Sequence, residues 1–304
     1  MQNYHELPKL RDSLSYLYVE HAILDKKQQA IEFVKEDGRT LVPTANLSVL
    51  MLGPGTSISH AAMTILARNG TSVLWTGQDA TRFYAQGTGE TRKGYRLLKQ
   101  AELVSDPDKR LEVVRRMYLH RFKDDGGLEP NLTLQQIRGK EGVRVRTAYK
   151  LASEKYGVEW HGRSYKRGSW GATDPINKAL SSANALLNGM CHAAIVSGGY
   201  SAGLGFIHTG KQLSFVYDIA DLYKAEITIP VAFEETSKGT TKLESRVRAA
   251  CRQRFKDAGL LKRILPDIDH LLSLVDEHSQ TKTIEEDGDI DQDGALPTKL
   301  WSKI

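Results

Sequence analysis

Residues 81–122 read "TRFYAQGTGETRKGYRLLKQAELVSDPDKRLEVVRRMYLHRF", and the hydrophobic period changes inside this stretch. Its first seven residues close a series of short runs rich in aromatic and β-branched residues: "YLYVEHAIL", "AIEFVKEDG", "RTLVPTANLSVLMLG", "TSVLWTG" and "TRFYAQG". Gly, Asp and Pro separate the runs, which is the pattern of strands joined by turns. From Leu97 onward, apolar residues recur at steps of three and four, the spacing of one helix face, with a break at Pro107. The glycine-rich "GTGETRKG" at 87–94 carries neither period and marks a boundary.

One helix interrupts the strands at "SHAAMTILARNG", with Ser59 as its N-cap and Gly70 as its C-cap. Beyond the boundary, "LTLQQIRGKEGVRVRTAYKLASEKYG", "DPINKALSSANALLNGMCHAAIVSGG", "KQLSFVYDIADLYKAEI" and "TKLESRVRAACRQRFKDAGLLKRILPDIDHLLSLVDEH" all read as helical. Strands and helices are segregated along the chain, which places it in the α+β class and argues against a Rossmann or TIM-barrel alternation. The expected organisation is a β-rich domain at 1–88, a hinge at 89–95, a helical domain at 96–280 and a flexible acidic tail at 281–304.

The 304 residues are 40% hydrophobic and 26% charged, an ordinary globular composition. The start, "MQNYHELPKL", lacks the apolar core of a secretory signal, and no run is long enough to span a bilayer. Cys191 and Cys251 stand far apart with no CxxC, which excludes disulfide scaffolds and zinc ribbons and leaves two buried thiols in a reducing cytoplasm. The net charge of +5 is uneven: "EEDGDIDQD" at 285–293 holds six acids, whereas 138–168 holds nine Lys/Arg against three Glu. Tyr149, Tyr156, Trp160, Tyr165 and Trp170 lie in or beside that basic segment, the footprint of a binder of phosphate backbones.

Two stretches carry candidate chemistry. In "IRGKEGVRVRTAYKL", Glu141 falls on the apolar helix face of Ile137, Val145 and Ala148. A carboxylate there needs an arginine partner, such as Arg144 or a neighbour, or a cation. Gly139 and Gly142 flank it and predict close approach by another group. In "GFIHTGKQLSFVYDIADLYK" at 205–224, Asp218 and Asp221 are spaced to share one helix face with Ser214 and Ala225, opposite a buried side of Leu213, Val216 and Ala220. His208 precedes that helix. Imidazole with two or three carboxylates suits Mg²⁺ or Mn²⁺ with positions open to phosphate, and equally reads as a solvated face with a core histidine. "DIDQDG" at 289–294 starts like a calcium loop but has Leu300 where a bidentate Glu is needed. No phosphate-binding GxxxxGK[ST] and no GxSxG elbow is present.

"IRGKEGVRVR" (137–146), "GFIHTGKQLSFVYDIADLYK" (205–224), "LGPGTSISHAA" (52–62) and "VLWTGQDATRFYAQG" (73–87) together resemble the CRISPR-associated integrase of spacer acquisition, the larger of the two proteins shared by most CRISPR systems, in its type I-E branch. The resemblance spans roughly residues 8–280. It implies an N-terminal β-sandwich, used for dimerisation and DNA contact, and a helical catalytic domain. It also implies a metal-dependent DNA integrase and endonuclease working by 3′-hydroxyl transesterification. Carried over residue by residue, the metal ligands fall on Glu141, His208 and Asp221, with Asp218 as a catalytic neighbour. Expected DNA contacts are Arg82, Arg138, Arg146, Arg163, Tyr165, Trp170, Lys211, Tyr217, Lys224 and Arg248, with Arg144, Lys150 and Arg246 as further candidates. Implied partners are a prespacer duplex with 3′ overhangs, the leader–repeat DNA of a CRISPR array, a second copy of the chain and a small adaptation protein whose dimer bridges two homodimers. Ser57 and Ile58 stand where the branch can place a basic residue, a departure that weakens or relocates duplex contacts there. A repair nuclease acting on branched or single-stranded DNA and a non-catalytic DNA-binding scaffold are the competing readings.

Overall fold

The computed structural model describes residues 16–78, 83–87, 94–122, 132–164 and 174–274. Arg82, Tyr165, Trp170, most of the expected hinge and the whole acidic tail lie outside them. The described residues up to Leu272 form one compact unit.

Among the described residues, eight strands build two four-stranded sheets. In the first, β1 (Tyr16–Val19), β5 (Val49–Leu52) and β7 (Ser72–Thr76) run parallel, and β8 (Phe83–Gly87) closes the edge antiparallel to β7. In the second, β4 (Gly38–Pro43), β3 (Ala30–Lys35) and β2 (Ile23–Lys27) form an antiparallel meander, with the short β6 (Ser57–Ile58) parallel to β2. The run "RTLVPTANLSVLMLG" is therefore two strands, divided by a 3₁₀ turn at Thr44–Asn46.

Helix α1 (His60–Arg68) begins where expected: the Ser59 hydroxyl accepts from the Ala62 N–H. Its end falls one residue earlier than expected, because Asn69 is the C-cap and Gly70 (φ 67°) is the left-handed residue that follows it.

Strand β5 explains the layering. All four of its residues are buried, so its side chains, alternating by direction, fill two different cores. Leu50 and Leu52 face Leu24, Ile31 and Phe33 of the second sheet and Ile65 and Leu66 of α1. Val49 and Met51 join Leu74, Ala193 and Val196 on the other side. The last two belong to the long helix of the C-terminal part, so the seam between sheet and helices is apolar.

Among the described residues, every regular element after β8 is helical: α2 (Tyr95–Ser105), α3 (Pro107–Arg121), α4 (Leu134–Tyr156), α5 (Pro175–Ser197), α6 (Ser214–Ala220), α7 (Ile229–Ser237), α8 (Leu243–Asp257) and α9 (Leu260–Leu271). Local signals set their ends. Asp106 caps α3 ahead of Pro107, and Asp174 caps α5 ahead of Pro175. Thr133 and Gln136 form a reciprocal capping box on α4, which stops at left-handed Gly157. Helix α5 carries buried residues around most of its circumference and is the axis against which α6, α7, α8 and α9 pack. Both cysteines are buried and unbridged, and burial pushes the Cys251 thiol up to about 12.

His192 of α5 lies at the seam, its ring 3.7 Å from that of Phe83 between centroids. Burial pushes its imidazole down to about 4. The unfolded chain takes up this proton first as pH falls through about 6.5, so the contribution is complete above that value and is lost toward pH 4. Unfolding free energies from urea titrations at pH 7 down to 4 are expected to fall by roughly 2–3 kcal/mol more in the natural chain than in His192→Leu. Parallel curves for the two proteins would refute this role.

Candidate active site

The Asp218 carboxylate is fully buried, and a charge there must be compensated locally. It is: the backbone N–H of Phe206 (2.6 Å), Ile207 (3.0 Å) and His208 (2.9 Å) all donate to it. Its Oδ1 also lies 2.7 Å from His208 Nδ1. Because a carboxylate only accepts, Nδ1 carries the proton, and in the neutral tautomer the Nε2 lone pair is the free one. The hydrogen bond to Asp218 holds the imidazole above its ordinary range, with the charges of Asp218 and Asp221 adding to it. The loop can wrap Asp218 only because residue 205 is glycine. A Cβ there would collide with the His208 carbonyl and lie 2.7 Å from Ser214 Cβ.

The expectation that Asp218 and Asp221 share an open face with Ser214 is corrected by this packing. Ser214 and Asp218 are buried on the inner side of α6, and Asp221 is its half-buried C-cap. The helix is shorter than the sequence suggests. After Asp221 the chain turns into a π-helix at Lys224–Thr228 and continues directly into α7.

Helices α2 and α3 clamp the loop that carries His208. Buried Gln100 donates to the carbonyls of Ser201 and Leu204 (3.0 Å each) and accepts from the Ser201 N–H. Arg110 donates twice to the Phe206 carbonyl, at 2.9 and 2.8 Å.

Glu141 is buried on α4, as its spacing predicts. Arg121, at the end of α3, reaches both carboxylates: Nη1 is 3.2 Å from Glu141 Oε1, and Nη2 is 3.8 Å from Asp221 Oδ2. Lys224 bonds the other Asp221 oxygen, and Arg144 Nη1 lies 3.7 Å from Glu141 Oε2. One guanidinium therefore links Glu141 and Asp221, and His208 feels the charge of Asp221. The flanking glycines do not mark an approach by the described chain: a Cβ at Gly139 would meet nothing within 4 Å, and one at Gly142 only Arg146 Nη1 at 3.5 Å.

As the side chains stand, no three His, Cys, Asp or Glu residues among those described form a group that would hold a metal ion. The donor chemistry nevertheless fits one. Glu141 Oε2 is buried without a hydrogen bond, Asp221 supplies a second hard oxygen, and His208 offers Nε2 with its Nδ1 fixed by a carboxylate.

The expected DNA-contacting residues divide in two. Arg138 and Arg146 on α4 are exposed, as is Lys211, whose Nζ lies 5.9 Å from the Tyr217 ring centre. Tyr217 stands edge-on to His208 at 5.9 Å between rings. Others are engaged within the chain. Arg163 binds Asn177, and Arg246 binds Glu235 and the carbonyls of Thr241, Glu235 and Gly239. Lys150 is exposed and pairs with Glu154 at 3.7 Å, and Arg248 is half-buried on α8. Tyr149 and Trp160 stack on each other at 4.5 Å and pack against Phe233, so they serve the fold.

A family model described as CRISPR associated protein Cas1 matches residues 15–124 and 119–262. The chain belongs to the Cas1 family. It is 49% identical over 300 residues to CRISPR-associated endonuclease Cas1 2 of Thermus thermophilus, covering 99% of this chain and 90% of that one. The Escherichia coli K12 CRISPR-associated endonuclease Cas1 is 38% identical over 265 residues, covering 87% and 86%. The crystal structure of a TtCas1–DNA complex superposes with a TM-score of 0.77 at 52% identity, covering 88% of this chain and 99% of that one. Among the described residues of this Cas1 family member, no helix is long and apolar enough to cross a membrane.

Gln100, Arg110 and Arg121 were not singled out from the sequence. Arg121 had a signal: it follows Val114 and Met117 by seven and four residues and so falls on the buried stripe of α3. If Asp218 organises the loop, Asp218→Asn should lower stability by about 3 kcal/mol or more, since the amide cannot accept all four bonds. It should also return the His208 titration, followed by NMR, toward its ordinary value. Gly205→Ala should destabilise the same loop by a steric route, with the His208 resonance shifted and the remaining histidines unmoved.

Proposed function

We propose that this Cas1 chain is a metal-dependent DNA integrase and endonuclease that inserts prespacer DNA into a CRISPR array. The observation that carries the reading is that Arg121 spans Glu141 and Asp221 while Asp218 orients His208, whose imidazole feels the charge of Asp221, beside exposed Lys211. Family membership supports it, as does the DNA-bound state of the relative at 52% identity.

In the proposed reaction, a prespacer 3′-hydroxyl oxygen bonds to a phosphorus of the repeat as the bond from that phosphorus to its own 3′ oxygen breaks. One phosphodiester replaces another, so no ATP is consumed. Glu141, Asp221 and His208 Nε2 would hold a Mg²⁺ or Mn²⁺ ion, which when bound supplies Lewis-acid polarisation of the phosphate. Asp218 keeps the Nδ1 proton in place, so the imidazole offers the same nitrogen throughout. Lys211 brings a positive charge to the mouth of the site, and Tyr217 beside it offers a ring face to an unpaired base. Arg138 and Arg146 bind backbone phosphates along α4 without reading sequence. Lys224 steadies Asp221 and is also within reach of a phosphate that enters there.

The same reading takes the two N-terminal sheets as a β-sandwich that serves dimerisation, its support being the single core they share. Two such homodimers would flank a dimer of the small adaptation protein, in the cytoplasm where the array lies.

Purified protein with its small partner, Mg²⁺ or Mn²⁺ and a prespacer with 3′ overhangs is expected to give half-site products on a supercoiled repeat plasmid. Glu141→Ala and His208→Ala should each reduce the yield at least roughly a hundredfold, the scale of losing a transition-state contact. Undiminished yield from either variant would remove it from the site. Cleavage of branched DNA with no joining under any condition would establish the repair-nuclease reading instead.

A further inference from the structure

The Arg121 guanidinium is buried among α3, α4 and the end of α6, yet it is poorly satisfied. Of its nitrogens only Nη1 makes a hydrogen bond, to Glu141. Nε and Nη2 are buried and make none, although Nη2 lies 3.8 Å from Asp221 Oδ2. Glu141 Oε2 is likewise buried without a hydrogen bond. A close, fully bonded arginine–carboxylate pair would use both oxygens and two parallel N–H groups. Here one cation spans two carboxylates and completes neither fork. The remaining support is a cation–π contact with Tyr118 at 5.2 Å.

We propose that Arg121 is the resident counter-cation of the site. It holds Glu141 and Asp221 together as a pair and competes with the divalent ion for the same two carboxylates. This rests on the metal-site reading above and adds a residue that sets how tightly the ion is bound. Two carboxylates turned toward one buried point repel each other and cost free energy unless a positive charge lies between them. Of the two carboxylates, Lys224 bonds Asp221 alone and Arg144 lies beside Glu141 alone; Arg121 supplies the charge shared by both before an ion arrives. Because its contacts are long and unforked, it gives them up at low cost, and an ion coordinated by Glu141 or Asp221 has to share their negative charge with it. Arg121 is thus a positioning residue: it makes no contact with substrate in this role and acts through the ligands. A divalent cation, with double the charge and closer approach to oxygen, wins the competition only above a threshold concentration that Arg121 fixes.

The test is direct Mn²⁺ titration, read by the EPR signal of free Mn²⁺, on the full-length natural protein, Arg121→Gln, Arg121→Lys and Glu141→Gln. Thermal melts with and without the ion accompany each titration. Arg121→Gln is expected to melt lower than the natural protein without metal. It should bind Mn²⁺ roughly tenfold more tightly, about the worth of one charge-assisted contact, and gain more in melting temperature from the ion. Arg121→Lys, whose ammonium is a point charge without a fork, should fall between the two. A purely structural arginine would lower the melting temperature of Arg121→Gln and leave its Mn²⁺ affinity unchanged or weaker, and that result overturns the proposal. If Arg121→Gln does not fold, Arg121→Lys decides: tighter Mn²⁺ binding than the natural protein supports the proposal, equal or weaker binding overturns it. Glu141→Gln separates the two ideas. Should it bind Mn²⁺ as the natural protein does, the metal site itself is wrong; should it lose the ion while Arg121→Gln binds as the natural protein does, only the role of Arg121 falls.

Discussion

A carboxylate with no access to water organises this molecule's functional half. Asp218 cannot remain charged on the inner side of α6 unless donors surround it. The nearest donors are the N–H groups of residues 206–208, so the loop has to curl around the aspartate, and Gly205 makes the curl sterically possible. The direction of the His208 ring follows from this. Nothing about the imidazole itself selects its orientation; the buried charge beneath it does.

The supporting layers extend this logic outward. Gln100 and Arg110 tie the loop's carbonyls to α2 and α3; α2 is anchored by Arg96 to Gly198 and Asp269, and α3 packs on α9, so the loop is fixed from behind. Helix α5 then meets strand β5, whose alternate side chains also fill the core of the second sheet. A continuous apolar path therefore runs from the N-terminal meander to the helix against which α6 packs. The cationic groups are placed last, on the α3 and α4 surfaces that this framework brings face to face.

Much of this was legible in the sequence. The change of period near residue 87 predicted strands before helices, and helical spacing put Glu141 on a buried face, where it lies. What the sequence concealed were arrangements that depend on contacts between distant segments. Spacing placed Asp218 and Asp221 one helical turn apart, and the bond from the Asp221 N–H to the Tyr217 carbonyl keeps them so, but spacing could not show that Asp218 is turned fully inward. Glycines 139 and 142 suggested an approaching group, and the described chain brings none to Gly139. Arg163 and Arg246 looked like surface cations because side-chain and carbonyl partners 14 and 11 residues away are invisible to a local pattern. Arg121 was the detectable omission, since the rule that found Glu141 also finds an arginine on the stripe of α3.

The π-helix at Lys224–Thr228 makes the length of this segment as consequential as its composition. A wider turn holds one residue more than an α-helical turn does, and it resets the angular phase of everything downstream by about 100°. Helix α7 is therefore docked on α5 in a phase different from the one α6 would impose if the helix simply continued. An in-frame loss of a single codon from 225–228 would conserve the site carboxylates, the imidazole and Lys224 while turning α7 out of its seat. For this part of the chain, insertions and deletions are a stricter filter than substitutions.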